Sequence, residues 1–236
     1  MRLYPVVFAL ALVSCSAPEF AVRAEAPAPL DAPGAHALAV VRIHAPWYAP
    51  RFVIAGRFRD AVPEYEAIAP LESKYFTISD NREFGGIYVW KTREEAETYF
   101  DDAWYRGVRA RRGVEPNVLV LDAPILFRGR TTIKAAPIGA RSVDYPATAT
   151  LVLWSADAPE LDRARRLAEL VKDADGLLRG AAVTSPGKVG YIALWASRDL
   201  AEAALASRES TEREIGLRAA SVTLFDAPVL IDSTLR

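Results

Sequence analysis

A single cysteine and two histidines rule out several kinds of chemistry at once. With Cys15 alone, no intrachain disulfide can form. His36 and His44, with no cysteine in the folded part, do not make a zinc site, so no metal is expected. There is no Gly-x-Ser-x-Gly and hence no nucleophile elbow. Gly85-Gly86 opens a strand, with no phosphate-cradling helix behind it. Neither sign of charge dominates: 29 Lys and Arg face 30 Asp and Glu, for a net charge of −1. Nothing therefore points to nucleic acid as a partner. Beyond the N-terminus no stretch is long and apolar enough to cross a bilayer.

What is present at the N-terminus is a leader pattern. Arg2 gives a short positive region, and Leu3 to Val13 an apolar one too short to span. Leu12-Val13-Ser14-Cys15 resembles a bacterial lipobox, in which the cysteine is lipidated and becomes the mature N-terminus. The alternative is an ordinary secretory signal cleaved near Ala17. The segment from Ser16 to His36 is rich in Ala and Pro and favours extended backbone over a packed core. The expected division is a signal peptide over 1–14 and a lipid-anchored tether over 15–36. Ser16 after the cysteine resembles the pattern sorted to the outer membrane. The expectation is a bacterial envelope protein facing the periplasm and touching the membrane through Cys15.

The rest of the chain is built around Lys74 to Trp90. Two aromatic and β-branched strands flank a polar tip at Asp80 and Asn81, a hairpin signature. Thr92 and Glu95 then fit a capping box opening a helix. The unit returns 105 positions on, from Arg179 to Trp195, with Ser197-Arg198-Asp199 as the second helix start. Asp122-Ala123-Pro124-Ile125-Leu126 likewise returns as Asp226-Ala227-Pro228-Val229-Leu230. The chain reads as a tandem duplication, repeat one over 37–127 and repeat two over 147–236, with a linker over 128–146.

Each repeat reads strand, helix, strand, strand, helix, strand. In repeat one the strands are Leu38 to Ala45, the two arms of the hairpin, and Val118 to Leu121. Its first helix spans Arg51 to Ile68, with a break expected at Pro63. A second runs from Arg93 to about Tyr105, and a short piece from Arg106 to Arg112 ends at Gly113. Repeat two gives strands at Thr148 to Trp154, Leu178 to Thr184, Gly190 to Trp195 and Val222 to Phe225. Helices lie at Pro159 to Lys172, capped by Asp157, and from Asp199. Such βαββαβ units fold as four antiparallel strands with both helices on one face. The bare faces need cover, so the fold class expected is α+β: two ferredoxin-like repeats whose sheets pack face to face as an intrachain pseudo-dimeric α/β barrel, monomeric overall.

Ser73-Lys74-Tyr75-Phe76, Gly85 to Trp90, Ala103-Trp104-Tyr105-Arg106 and Gly113-Val114-Glu115-Pro116 together resemble the mono-oxygenases of YdhR type. These belong to the dimeric α/β-barrel, antibiotic-biosynthesis-monooxygenase-like superfamily. The resemblance covers most of Leu38 to Phe127. It implies a two-sheet barrel and, at most, a cofactor-independent oxygenase acting on a small aromatic or apolar molecule.

Such chemistry needs a base to deprotonate the substrate, a cation to hold the anion, and exclusion of water. His44 could be the base, Arg42 or Lys74 could hold the anion, and Tyr75, Tyr88, Trp90 and Trp104 could bind the ring. If the mixed faces of the first and third strands coincide, Arg42, His44, Tyr88 and Trp90 cluster. The alternative is that the aromatics are barrel core and the charges cover its edges, in a non-catalytic, membrane-tethered binding or structural barrel. Aligned at a 105-residue offset, Tyr75 faces Gly180 and Tyr88 faces Ala193. Repeat one is thus aromatic where repeat two is small. Arg106, Arg109, Arg111 and Arg112 read as a solvated helix face.

Overall fold

The structure, a computed structural model, describes residues 36–132, 142–156, 161–216 and 219–232. Cys15, the leader and most of the tether lie outside the described residues, as do Asp157 and Pro159. The strands are β1 (His36–His44), β2 (Leu71–Ser79), β3 (Glu83–Trp90), β4 (Asn117–Arg128), β5 (Ser142–Ser155), β6 (Leu177–Ser185), β7 (Lys188–Trp195) and β8 (Ala219–Asp232). The helices are α1 (Arg51–Glu66), α2 (Arg93–Tyr99), α3 (Asp102–Arg112), α4 (Leu161–Val171), α5 (Arg198–Ala206) and α6 (Arg208–Ile215).

All eight strands close into one antiparallel barrel in the order β1-β3-β2-β8-β5-β7-β6-β4. The first four-stranded half is β4-β1-β3-β2 and the second β8-β5-β7-β6. They do not stack as two separate sheets. They join edge to edge, through β2 with β8 and β4 with β6, so that no sheet edge is left open.

This closure explains where the short expected strands went wrong. β4 first pairs with β1 and then with β6, and β8 serves both β5 and β2. Each must therefore run on past the point where its own half ends. Pro124, Pro146 and Pro228 lie inside strands, but at register shifts, where a missing donor is tolerated. The linker likewise gives way at both ends to β4 and β5.

Helix boundaries follow local chemistry. Thr92 and Glu95 form the capping box that opens α2. Asp101 then accepts from the Trp104 N–H at 2.7 Å and starts α3, which splits the single helix expected here. Gly113, at φ +70°, ends α3 in the left-handed conformation. α1 passes through Pro63 unbroken. Pro63 is exposed and sits in the last turn, so the missing donor costs the one bond to the Arg59 carbonyl and the helix ends three residues later.

Strand alternation sorts the side chains into two layers. Leu38, Val40, Tyr75, Ile87, Val89, Leu121, Leu151, Leu153, Ile192 and Leu194 fill the barrel interior. Trp90, Tyr88, Tyr99 and Phe100 form an outer layer beneath α2 and α3, and Trp154, Tyr191, Trp195 and Leu167 another beneath α4 and α5. α1 lies over β2 and β8, and α4 over β4 and β6, so each covers a seam between the halves.

The buried tryptophans differ in one respect. Trp195 donates its indole N–H to the Thr150 hydroxyl at 3.0 Å, whereas the Trp90 N–H has no acceptor. The register explains this, since Ala39 stands in β1 where Thr150 stands in β5. Trp195→Phe orphans the Thr150 hydroxyl, while Trp90→Phe removes a donor that is already unpaired. In urea unfolding Trp195→Phe should therefore be the more destabilising, by about 1 kcal/mol.

Candidate functional site

The lower mouth of the barrel, where β1 and β5 begin, holds a cavity of about 280 Å³. Its walls are apolar side chains of the interior layer: Leu38, Val89, Leu126, Ile192 and Leu194, with Tyr75. Its rim is polar, formed by Glu72, Ser73, Arg128 and Arg179. Two charge pairs organise that rim. His36 Nε2 lies 3.1 Å from Glu72 Oε2, and Arg179 Nε donates to Asp232 Oδ2 at 2.7 Å. The Asp232 side chain is 2 % exposed, so the guanidinium faces a carboxylate withdrawn from water.

Tyr75 points its phenol into this group. Burial pushes its pKa well above the usual tyrosine range and the Asp232 carboxylate adds to the push, against Arg179 and a hydrogen bond with Ser73. The phenol is therefore a proton donor at neutral pH and cannot act as a base.

The register shows why room exists here. Ile87 pairs with Tyr75, and the matching Ile192 pairs with Ala181. The position equivalent to Tyr75 is thus Ala181, not Gly180, and Ala181 lines the cavity. Lys74 is the residue that Gly180 replaces. The one-residue slip comes from the hairpin turns: β2 and β3 are joined by Asp80-Asn81-Arg82, but β6 and β7 by Pro186-Gly187 alone. A Cβ on Gly180 would lie 2.3 Å from the Phe127 ring, which fills the space that a larger side chain would need.

The residues singled out from sequence fall into three places. Arg42 and His44 are at the upper mouth, where Arg42 donates to Asn117 Oδ1 at 3.0 Å and His44 is exposed. Tyr88 and Trp90 lie on the outer face, because Ala39 pairs with Tyr88 and Ala37 with Trp90. The expected cluster of Arg42, His44, Tyr88 and Trp90 is thus divided between opposite faces of the sheet. Trp104 belongs to the outer layer too, edge-on to Phe100 at 4.9 Å. Lys74 joins Tyr88 there. Its Nζ lies 2.8 Å from the centroid of the Tyr65 ring, 4.1 Å from Phe76 and 4.5 Å from Tyr88, an aromatic enclosure beneath α1. Burial raises the carboxyl pKa of nearby Glu64, and the charges of Lys74 and Arg111 pull it back. Of the sequence candidates, only Tyr75 reaches the cavity.

His36, Glu72, Ser73, Arg128, Arg179 and Asp232 were not anticipated. One signal for the last of these was available. Extending the match of Asp122-Ala123-Pro124 with Asp226-Ala227-Pro228 to the strand ends sets Arg128 against Asp232. Among the described residues no cluster of His, Cys, Asp and Glu could hold a metal, and no helix is long and apolar enough to cross a membrane.

No family model and no curated protein matches the sequence. Solved structures do match its fold. One is a protein of Fusobacterium nucleatum described as a "putative monooxygenase": TM-score 0.55, 9 % identity, covering 84 % of this chain and 95 % of that one. Another of the same description, from Lactobacillus acidophilus, gives 0.52 at 10 % identity, over 84 % and 97 %. An anthrone oxidase-like protein gives 0.51 at 10 % identity, over 85 % and 94 %. At such identities the likeness is one of architecture: a monooxygenase-like barrel fold.

The buried phenols give this barrel a defined alkaline limit. Burial pushes Tyr191 up to about 12, and Tyr75 moves in the same direction. Unfolded tyrosines ionise near 10, so between that pH and the folded pKa the unfolded chain binds fewer protons and stability falls as pH rises. Each such tyrosine contributes a slope of about 1.4 kcal/mol per pH unit. Urea unfolding between pH 10 and 12 should show a shallower decline for Tyr75→Phe than for the wild type.

Proposed function

We propose that this chain is a monooxygenase-like barrel that takes a small aromatic or apolar molecule into the cavity at its lower mouth. The observation that carries the reading is the cavity itself, with apolar walls, a buried phenol and charged groups converging at the rim. This is the usual composition of a small-molecule site, and about 280 Å³ suits a ligand of one ring better than a large polycycle. The names of the matching structures, one of them anthrone oxidase-like, support an oxidative version, and the absence of a cofactor in that version follows the resemblance noted in the sequence. In that version a base removes a proton from an acidic C–H or O–H. The anion transfers an electron to O₂, and the overall step converts a phenol with a free para C–H, together with O₂, into a quinone and water. His36, held 3.1 Å from the rim residue Glu72, is taken as the base. It replaces His44 in that role.

The second reading is a binding barrel without turnover. It is favoured by the dispersal of the catalytic set read from sequence: Arg42 and His44 at the other mouth and Lys74 outside the barrel.

We further infer that the halves are two ferredoxin-like copies of one ancestral unit. Support comes from matched ion pairs: Arg93 opens α2 and holds Asp122 at 2.7 Å and Glu97 at 3.0 Å, while Arg198 opens α5 and holds Asp226 at 3.3 Å and Glu202 at 2.9 Å. Both β2 and β6 also shift register at the same point, after Leu71 and Leu177. A barrel paired on both seams fits a monomer, since no strand edge remains to recruit a partner. For the mature chain we propose a lipid at Cys15 and the periplasmic side of the outer membrane, on the strength of the leader pattern.

Ala181→Phe tests the site, because it restores an aromatic where the equivalent position holds Tyr75. Calorimetric titration with single-ring phenols should show saturable binding that falls at least tenfold in the variant, with the circular dichroism unchanged; a tenfold loss is about 1.4 kcal/mol. Undiminished binding would place the ligand elsewhere. Oxygen consumption with the same phenols, lost in His36→Gln, separates turnover from binding alone. For the anchor, radiolabelled palmitate should enter the wild type and not Cys15→Ser, and equal labelling of the two would end that part of the proposal.

A further inference from the structure

The charges on the cavity rim are arranged unevenly between the two seams. On one seam Ser73 pairs with Asp232; on the other Arg179 pairs with Arg128. Two like charges directly opposite each other across a strand pair repel. Both arginines belong to the inner face and both line the cavity. Arg179 is relieved by reaching over the mouth to Asp232 at 2.7 Å. Glu72 is engaged with His36 instead, at 3.1 Å. Among the described residues no carboxylate pairs with Arg128. The rim thus holds two arginines opposite each other across the β4–β6 seam, one of them paired with the buried Asp232, above an apolar chamber.

We propose that the cavity selects small aromatic or apolar molecules that carry a carboxylate. The apolar body lies against Leu38, Val89, Leu126, Ile192 and Leu194. The carboxylate lies at the rim on Arg128, whose planar donor fork matches its two oxygens. The Tyr75 hydroxyl, held in its protonated form, offers a further donor from the chamber side. The anion so bound gives Arg128 the partner that Asp232 gives Arg179. This assignment rests on the reading of the cavity as the ligand site.

Phenylacetate and phenylacetamide share a shape and differ in charge, and they serve as probes for calorimetric titration of the full chain. The expected result is carboxylate binding about tenfold or more tighter than the amide, the size of effect a charge-assisted pair supplies. Added salt should narrow the gap. Arg128→Gln should bring the carboxylate's affinity level with the amide's, and Arg128→Lys should restore part of the difference. Arg128 is chosen because it is exposed at the end of β4, so its loss leaves the fold intact, whereas removing Arg179 would strand the buried Asp232. Equal affinities for the two probes would overturn the anion selection and leave the ligand site standing. A preference that persists in Arg128→Gln, or carboxylate binding untouched by Ala181→Phe, would also overturn it, the anion then sitting elsewhere. Failure of both probes to bind would overturn this proposal together with the cavity reading.

Discussion

Closure of the barrel is the constraint from which the other features follow. A four-stranded sheet has two edges whose N–H and C=O groups must be met by something. Here each half meets them with the other, and the pairing β2 with β8 and β4 with β6 has to be made by strands already committed to their own half. β4 and β8 therefore run long, as does β5, which pairs with β8 over most of its length, and the prolines in these strands lie at their register shifts. The helices obey the same constraint: α1 and α4 lie over the seams and bury the outer faces of the joining strands.

Once closed, the barrel assigns every strand residue to the interior or to the helix layer, and one residue of slip reverses the assignment. The hairpins, the capping box, the helix end at Gly113 and the paired tryptophans were legible because each depends on chemistry within a few residues. Which face Tyr88 shares with which neighbour was not. That depends on Ala39 lying opposite Tyr88, a register set by the whole sheet. The same limit hid the match of Tyr75 with Ala181, since a three-residue turn in one hairpin and a two-residue turn in the other slide the strands by one place. His36 was assigned to the tether because its run of alanines resembles the preceding segment. Its place as the first residue of β1 depends on pairing with Ala123 in β4.

The halves then diverge in how they fill equivalent space. In the first, Lys74, Phe76 and Tyr88 crowd the outer layer, where the second has Gly180, Ala182 and Ala193. The first half gains an aromatic enclosure for a buried ammonium, with contacts worth about 2 kcal/mol when desolvated. The second half fills the corresponding gap from outside its own strands, with the Phe127 ring from β4 seated over Gly180. Both solutions leave the outer layers packed, so the aromatic richness of Lys74 to Trp90 is largely a matter of core.

The interior treats the same asymmetry differently. Tyr75 and Ala181 occupy matching positions of the two halves and both line the chamber, a large side chain in one half and a small one in the other. A void bounded only by apolar groups would be a cost in lost packing. This one is bounded at its open end by Glu72, Arg128 and Arg179, with His36 paired to Glu72 and Asp232 to Arg179, so a ligand entering it meets polar groups at the mouth and apolar walls inside. Fold stability does not require that combination. An alanine at the position matching Tyr75 leaves room inside the barrel, an arginine opposite an arginine sets like charges side by side, and both features open onto the same cavity.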